Sequence, residues 1–364
     1  MGAKKVQGFI THSPKGQAGL SLVELMVALA LSATLILGIF TVYVDSSQTA
    51  RLSTSLARIQ ESGRIATDIV GRDMRMIGFQ GCADPADVTM RIIADNAPTA
   101  DFFSTTLRGW EVADGNWANG TEFDGTPIEA NALVGSDVIS IQRGQTIDVE
   151  VTGNMNVVNA NIQVAGTAIN SFTQNDIVLI SDCENADLFR ISSDPSSGTW
   201  AHAQNVNSSN NLGQAYNESA RIMRFSSNVY FVADTGRDDI QGNDIIALYR
   251  GANNMLAAGG PSFQVDELVE GVESMQIQYG EILPTNNIRY ETADNVTDMS
   301  RVVALRIGLL ISDADQVRDT DDTSSYALPG EVITEASGAG PVTHPEDTRL
   351  RRTFISTVTL RNRD

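Results

Sequence analysis

Residues 20–44 of this chain read LSLVELMVALALSATLILGIFTVYV, twenty-five positions with a single acidic or basic side chain, Glu24. A helix of that length rises about 37 Å, enough to cross the roughly 30 Å hydrocarbon core of a bilayer. A cleaved secretory signal carries an apolar region of only about 7–15 residues and ends at a small-residue site. This run is longer and no AxA-like site ends it, so the sequence predicts that it stays attached to the mature protein.

The flanks set its direction. Lys4, Lys5 and Lys15 are the only charged side chains in the first 19 positions, and a long acidic body follows the apolar run. The positive-inside rule then places residues 1–19 in the cytoplasm and the body across the membrane. Over the 364 residues, 45 acidic side chains face 25 basic ones, a formal charge of −20. Loss of the three lysines with residues 1–19 takes it to −23. Such a balance argues against a nucleic-acid partner, which needs a basic stripe for the phosphates. The length allows one or two domains.

The two cysteines, Cys82 and Cys183, form no CxxC pair, and three histidines give no zinc spacing. In an exported body they favour a disulfide, closing a loop of about 100 residues and stabilising by roughly 4–5 kcal/mol in the chain-entropy model. In a cytosolic body they are buried thiols.

Glu24 is the unusual residue, because a carboxylate near the end of a spanning helix needs a partner, a task or a hydrated interface. The residues before it are informative. Lys15-Gly16-Gln17-Ala18-Gly19 followed by Leu20-Ser21-Leu22-Val23-Glu24 resembles the type III signal of type IV prepilins. In that signal a basic leader ends in Gly, an apolar residue starts the mature chain, and Glu is the fifth mature residue. The resemblance implies cleavage by prepilin peptidase between Gly19 and Leu20 and N-methylation of Leu20. It further implies that Glu24 neutralises the amine of a neighbouring subunit during assembly. Leucine departs here from the commoner phenylalanine at the first mature position.

Beyond residue 44 the apolar run stops but helical spacing continues. Leu52, Leu56, Ile59, Ala66, Ile69 and Ile77 mark one face, with Arg51, Arg58, Arg64, Arg72, Arg75, Asp68 and Asp73 at polar positions. A helix over residues 20–77 measures roughly 85 Å. Gly38, Gly63 and Gly71 are expected as places where it bends or thins, and Gly78 with Gly81 as its end.

From about residue 130 the pattern changes to short β-rich runs between turn residues. Candidate strands are 137–142, 146–151, 176–181, 188–192, 221–233 (with a possible break at Ser226–Ser227), 244–250, 272–280, 302–312 and 353–360. Partial alternation, as in Thr353-Phe354-Ile355-Ser356-Thr357-Val358, fits antiparallel strands with one wet face. Segments 84–125, 193–214 and 313–347 are rich in Gly, Asn, Asp, Ser, Thr and Pro and read as surface loops. Packing onto the sheet is the favoured role for Trp110, Trp117 and Trp200, ahead of a partner surface.

Four segments of the body carry a further resemblance. They are Arg72-Asp73-Met74-Arg75-Met76-Ile77-Gly78-Phe79 with Gly81-Cys82, Ser181 to Phe189, Val303 to Leu310, and Arg351 to Arg363. They resemble the helix end, second cysteine region and C-terminal strand pair of the PilW family of minor pilins. The family implies an α+β, pilin-like fold. In it a long N-terminal α-helix, membrane-spanning in its first half and amphipathic in its second, packs on an antiparallel β-sheet domain with long loops. It implies a leader over 1–19, a filament-core helix over 20–44, an amphipathic helix over 45–80 and a periplasmic β-domain over 81–364. A Cys82–Cys183 disulfide is implied too. The implied role is assembly with other minor pilins and the major pilin to prime pilus growth at the tip, with prepilin peptidase and the inner-membrane assembly platform as further partners. The body would thus pass from the periplasm to the extracellular pilus. A J-type pseudopilin of type II secretion and a membrane-anchored periplasmic adhesin or ligand-binding domain are the alternatives.

No enzymatic constellation, cofactor motif, P-loop or GxSxG elbow is visible, and His202 and His344 lie in polar stretches. Asp313, Asp315, Asp319 and Asp321, with Asp322, form a candidate calcium loop. It lacks EF-hand spacing and the closing Glu, which favours a solvated loop and no metal.

Overall fold

The computed structural model describes residue 19 and residues 21–84, 87–99, 101–153, 155, 159–253 and 262–363. The chain forms two compact units, Met1–Ser53 and Thr54–Asp364. Helix α1 covers Leu22–Met74. In the first unit its apolar side chains are exposed from Leu22 to Val44, and no described part of the chain covers them. Hydroxyls within the run turn back on the helix, Thr34 donating to Leu31 O (2.9 Å) and Thr41 to Gly38 O (2.9 Å). That satisfies them without water.

In the second unit α1 buries Ser55, Ile59, Gly63, Ala66, Val70, Gly71 and Met74, a stripe at spacings of mostly three and four. Leu52, Leu56 and Ile69, expected at its centre, are half-buried. The expected stripe was displaced because Ser55 and Gly63 contribute to the buried face without an apolar signal. Gly63 and Gly71 are contact positions, and α1 continues through both. A Cβ on Gly63 would lie 2.3–2.5 Å from the ring of Phe354, and one on Gly71 would lie 3.7 Å from Val358. Past Met74, Gly78 and Gly81 adopt positive φ (73° and 89°) and turn the chain away from the helix.

Among the described residues the first ten strands form one sheet. They are β1 Arg91–Ile92, β2 Leu107–Glu111, β3 Asp137–Val151, β4 Asn161–Ala165, β5 Ile177–Ser181, β6 Ala186–Arg190, β7 Thr199–Ala201, β8 Arg221–Asp238, β9 Asp244–Asn253 and β10 Phe263–Glu270. Its spine is the antiparallel β3–β8 pair, with Ile139 opposite Tyr230. β11 Val272–Ile282, β12 Ile288–Glu291, β13 Val302–Gln316 and β17 Arg349–Thr359 make a second sheet in the order β12-β11-β13-β17. β14 Tyr326–Leu328, β15 Glu331–Glu335 and β16 Thr343–His344 make a small third.

Several expectations are corrected. Runs 137–142 and 146–151 are one strand, because Gly144 brings the backbone against the helix exit: its N–H donates to Phe79 O (2.6 Å). β8 passes unbroken through Ser226 and Ser227, which pair with Arg143 and Gln142. Segments 84–125 and 313–347 hold the short strands β1 and β2, and β14 to β16, and 193–214 holds β7. Aromatic packing organises the first of these: Trp110 lies 5.7 Å from Trp117 and 5.2 Å from Phe123. Trp200 is fully buried against Phe172 (4.8 Å).

The main core lies where the α1 stripe and both larger sheets meet. Ile59, Ala66, Val70 and Met74 join Ile139, Ile141, Tyr230 and Val232 of the first sheet and Met275, Ile277, Leu305, Leu309 and Val358 of the second. Hydrogen bonds join the two sheets at the start of β3. Ser136 Oγ donates to Met275 O (3.2 Å), Gln276 Nε2 donates to Gly135 O (2.7 Å), and Asp137 accepts from Ile277 N (2.6 Å). Asp137 stands opposite Glu111 in the β2–β3 register. Burial first, and the Glu111 carboxylate second, push the Asp137 carboxyl well above its ordinary range, against the pull of the Ile277 N–H.

Two outcomes test this packing in the purified full-length chain. Gly63→Leu should cost about 1–3 kcal/mol by overpacking onto Phe354, and adding Phe354→Ala should recover part of that loss in thermal unfolding. A carboxyl whose folded pKa is raised stabilises fully below its unfolded value, about 3.9, and that stability is lost as pH rises toward the folded value. Asp137→Asn should therefore gain in unfolding midpoint relative to wild type as pH rises above about 4.

Candidate functional site

The N-terminal signal opens α1. Ser21 O accepts from Leu25 N (3.1 Å), the first turn of the helix. The Ser21 hydroxyl accepts from Glu24 N (3.2 Å), and the Glu24 carboxylate accepts in return from Ser21 N (3.2 Å). This is a reciprocal capping box, and it satisfies two backbone donors at the exposed helix start. The S-x-x-E spacing is the sequence signature of such a box, a local role additional to the one the prepilin resemblance implies for Glu24. Gly19 is exposed. Leu20 and residues 1–18 lie outside the described residues.

Cys82 and Cys183 are joined by a disulfide, with Cα atoms 4.8 Å apart. Cys82 sits in the turn beyond α1. Cys183 lies in the β5–β6 hairpin turn, where Asp182 Oδ1 accepts from Glu184 N (2.9 Å) and Asn185 N (2.8 Å). The bridge therefore ties the helix exit to a hairpin 101 residues later.

The candidate calcium residues diverge. Arg58 on α1 reaches Asp315 (2.8 Å) and Asp313 (3.6 Å). Asp322 instead enters a buried network, accepting from Arg318 (2.9 Å), Tyr326 (2.6 Å) and Arg351 (3.4 Å). Asp319 and Asp321 are exposed. No group of three or more His, Cys, Asp and Glu among the described residues is placed to hold a metal ion.

At the centre of that network Arg351 grips Glu273 (2.6 and 3.1 Å) and Asp347 (2.7 and 3.0 Å), each bidentately. Burial alone would lower its pKa, but these carboxylates outweigh burial and raise it. Arg349 pairs with Asp239 (2.8 Å). Burial works to raise the Asp239 pKa, yet the Asn243 and Arg349 donors hold it far below the ordinary range. His202 is fully buried beside Phe189, and burial lowers its pKa to about 4, so it is neutral at physiological pH.

Loss of the disulfide by Cys82→Ser should cost about 2–5 kcal/mol, and Cys183→Ser the same. Thermal unfolding of the purified chain with and without reductant checks this: the variants should lose the reductant sensitivity of the wild type.

Comparison with known proteins adds to this geometry. Residues 229–362, from β8 through β17, match the family model for type IV pilus-assembly protein W. Residues 14–40 match the prokaryotic N-terminal methylation motif. Among solved structures, the type IV-like pilin TTHA1219 from Thermus thermophilus is 19% identical over 38% of this chain and 78% of its own, with a TM-score of 0.21. No curated protein matches. With the methylation motif at its head and the protein W match over its C-terminal strands, the chain is similar at both ends to PilW-like type IV pilins that carry a prepilin signal.

Proposed function

We propose that this chain is a minor pilin that is processed by prepilin peptidase between Gly19 and Leu20, is methylated on Leu20, and helps prime pilus assembly at the filament tip. The precursor spans the inner membrane once with its body in the periplasm, and residues 1–19 are removed. The apolar half of α1 then passes from lipid into the filament core beside other minor pilins and the major pilin, while the β-domain becomes extracellular. The role is structural rather than catalytic. One observation carries the reading: the apolar side chains from Leu22 to Val44 are exposed, and no described residue of the chain covers them. Such a surface needs lipid or other apolar helices around it. The disulfide fits an oxidising compartment.

In this reading Glu24 meets the methylated amine of a neighbouring subunit, a pairing strengthened by a low-dielectric helical core. N-terminal sequencing and intact mass of the chain from its host's membranes should give a start at methylated Leu20. Glu24→Ala should abolish piliation while leaving the amount of processed protein unchanged. A chain that keeps residues 1–19 in cells with active peptidase would overturn the proposal, as would full piliation by Glu24→Ala.

A further inference from the structure

Charge is segregated along this chain. Residues 81–348 hold 39 acidic and 12 basic side chains, a formal −27, whereas residues 349–363 hold five arginines and no acid. Residues 54–78 add four arginines against Glu61, Asp68 and Asp73. Several of these charges are engaged internally: Arg58 with Asp313 and Asp315, Arg72 with Asp68, Asp73 with Arg143. Arg349 and Arg351 lie in the buried network, and Arg363 is buried beside Phe103. Arg64, Arg75, Arg352 and Arg361 are exposed, and no carboxylate among the described residues lies within ion-pair distance of them.

These four share a flank of the second unit. Arg64 and Arg75 are eleven positions apart, so they fall within about 20° of each other around an α-helix and within about 40° of Gly71. Gly71 is the position that meets Val358 of β17. Arg352 shares the face of β17 that carries Phe354 and Val358, the residues opposite Gly63 and Gly71. Arg361 follows the strand beside Asn362, whose amide donates to Ile77 O at the helix exit (3.1 Å). β17 is also the last strand of its sheet, so no further described strand pairs with its outer edge.

We infer that this arginine flank docks the acidic β-domain of an adjacent pilin subunit, an inference that rests on the minor-pilin reading. Bodies as acidic as this one repel each other on contact, and packing them side by side requires a compensating face. Guanidinium groups suit that task because they pair bidentately with carboxylates and stay charged. Complementary charge sets partner choice and register more than raw affinity. The flank therefore selects the neighbour, while the apolar half of α1 supplies the main burial.

The test places a photoactivatable amino acid at position 64 or 352 of the full-length chain in its own piliated host, with position 286 on an exposed turn as control. Tandem mass spectrometry of the adducts should find Asp- and Glu-rich peptides of another pilin subunit. Arg75→Glu combined with Arg361→Glu should cut those adducts by about tenfold or more. Protein level and the Cys82–Cys183 bridge, read by gel mobility, should not change. Adducts with lipid alone overturn the docking surface, as do pilin adducts indifferent to the charge reversal. N-terminal sequencing of the same samples separates the two readings. Processed chain without pilin adducts defeats the docking surface alone, and unprocessed chain defeats the pilin reading with it.

Discussion

The approach of Gly63 to the ring of Phe354 decides where the second half of α1 lies on the domain. With no side chain at that point, the helix backbone comes down onto β17, and Ile59, Ala66, Val70 and Met74 reach a core shared by both larger sheets. A mid-helix glycine costs about 1 kcal/mol in propensity relative to alanine. Burial of the adjoining apolar stripe outweighs that cost, at roughly 1.5–3 kcal/mol for each large side chain. The same seating aligns β17 with the helix and brings Asn362 under its exit, so the two ends of the folded body meet.

Charge then organises what apolar burial leaves open. The segment 313–347 has few apolar residues to hold it, yet it is anchored at Asp322 and Asp347 by Arg351, which also binds Glu273 of β11. Removing one member of such a buried set leaves an unpaired charge in a dry site, which typically costs about 3–5 kcal/mol. The cluster of arginines in the last strand is thus two things at once. Arg349 and Arg351 point inward and fasten loops, while Arg352 and Arg361 point outward and give an acidic body its basic flank.

Much of this was legible in the residues, and the gaps have physical causes. The apolar run, the amphipathic half of α1, the prepilin signal and the β13–β17 pair all show in periodicity or motif, and the helix end at Gly78 and Gly81 follows from backbone chemistry. The buried stripe was misplaced because Ser55 and Gly63 bury without being apolar. Gly63 and Gly71 were read as weaknesses because a lone sequence does not distinguish a bend from a close contact. β3 was cut in two at Gly144 for the same reason. β1, β2, β7 and β14 to β16 were read as loops because each is short and framed by polar residues. The partners of β1, β2 and β7 lie far away in sequence, where local patterns carry no information.

At the start of α1, Glu24 combines a local role with the one proposed for assembly. Its carboxylate is held at the start of α1 by the Ser21 N–H, where the first backbone donors have no helical acceptors and the helix dipole is positive. A carboxylate so placed is oriented before any partner arrives, which reduces the ordering cost of the encounter. In the processed chain proposed here, the amine of residue 20 is the group next to Ser21. The carboxylate thus lies at the same end of the helix as its own chain's amine and can exchange a backbone donor for the stronger charge of a neighbour's. The gain is the difference between a neutral and a charge-assisted hydrogen bond, enlarged by the low dielectric of packed apolar helices. That difference is realised only when a second helix lies alongside at the right height, so the capping box and the registration point are one device seen before and after assembly.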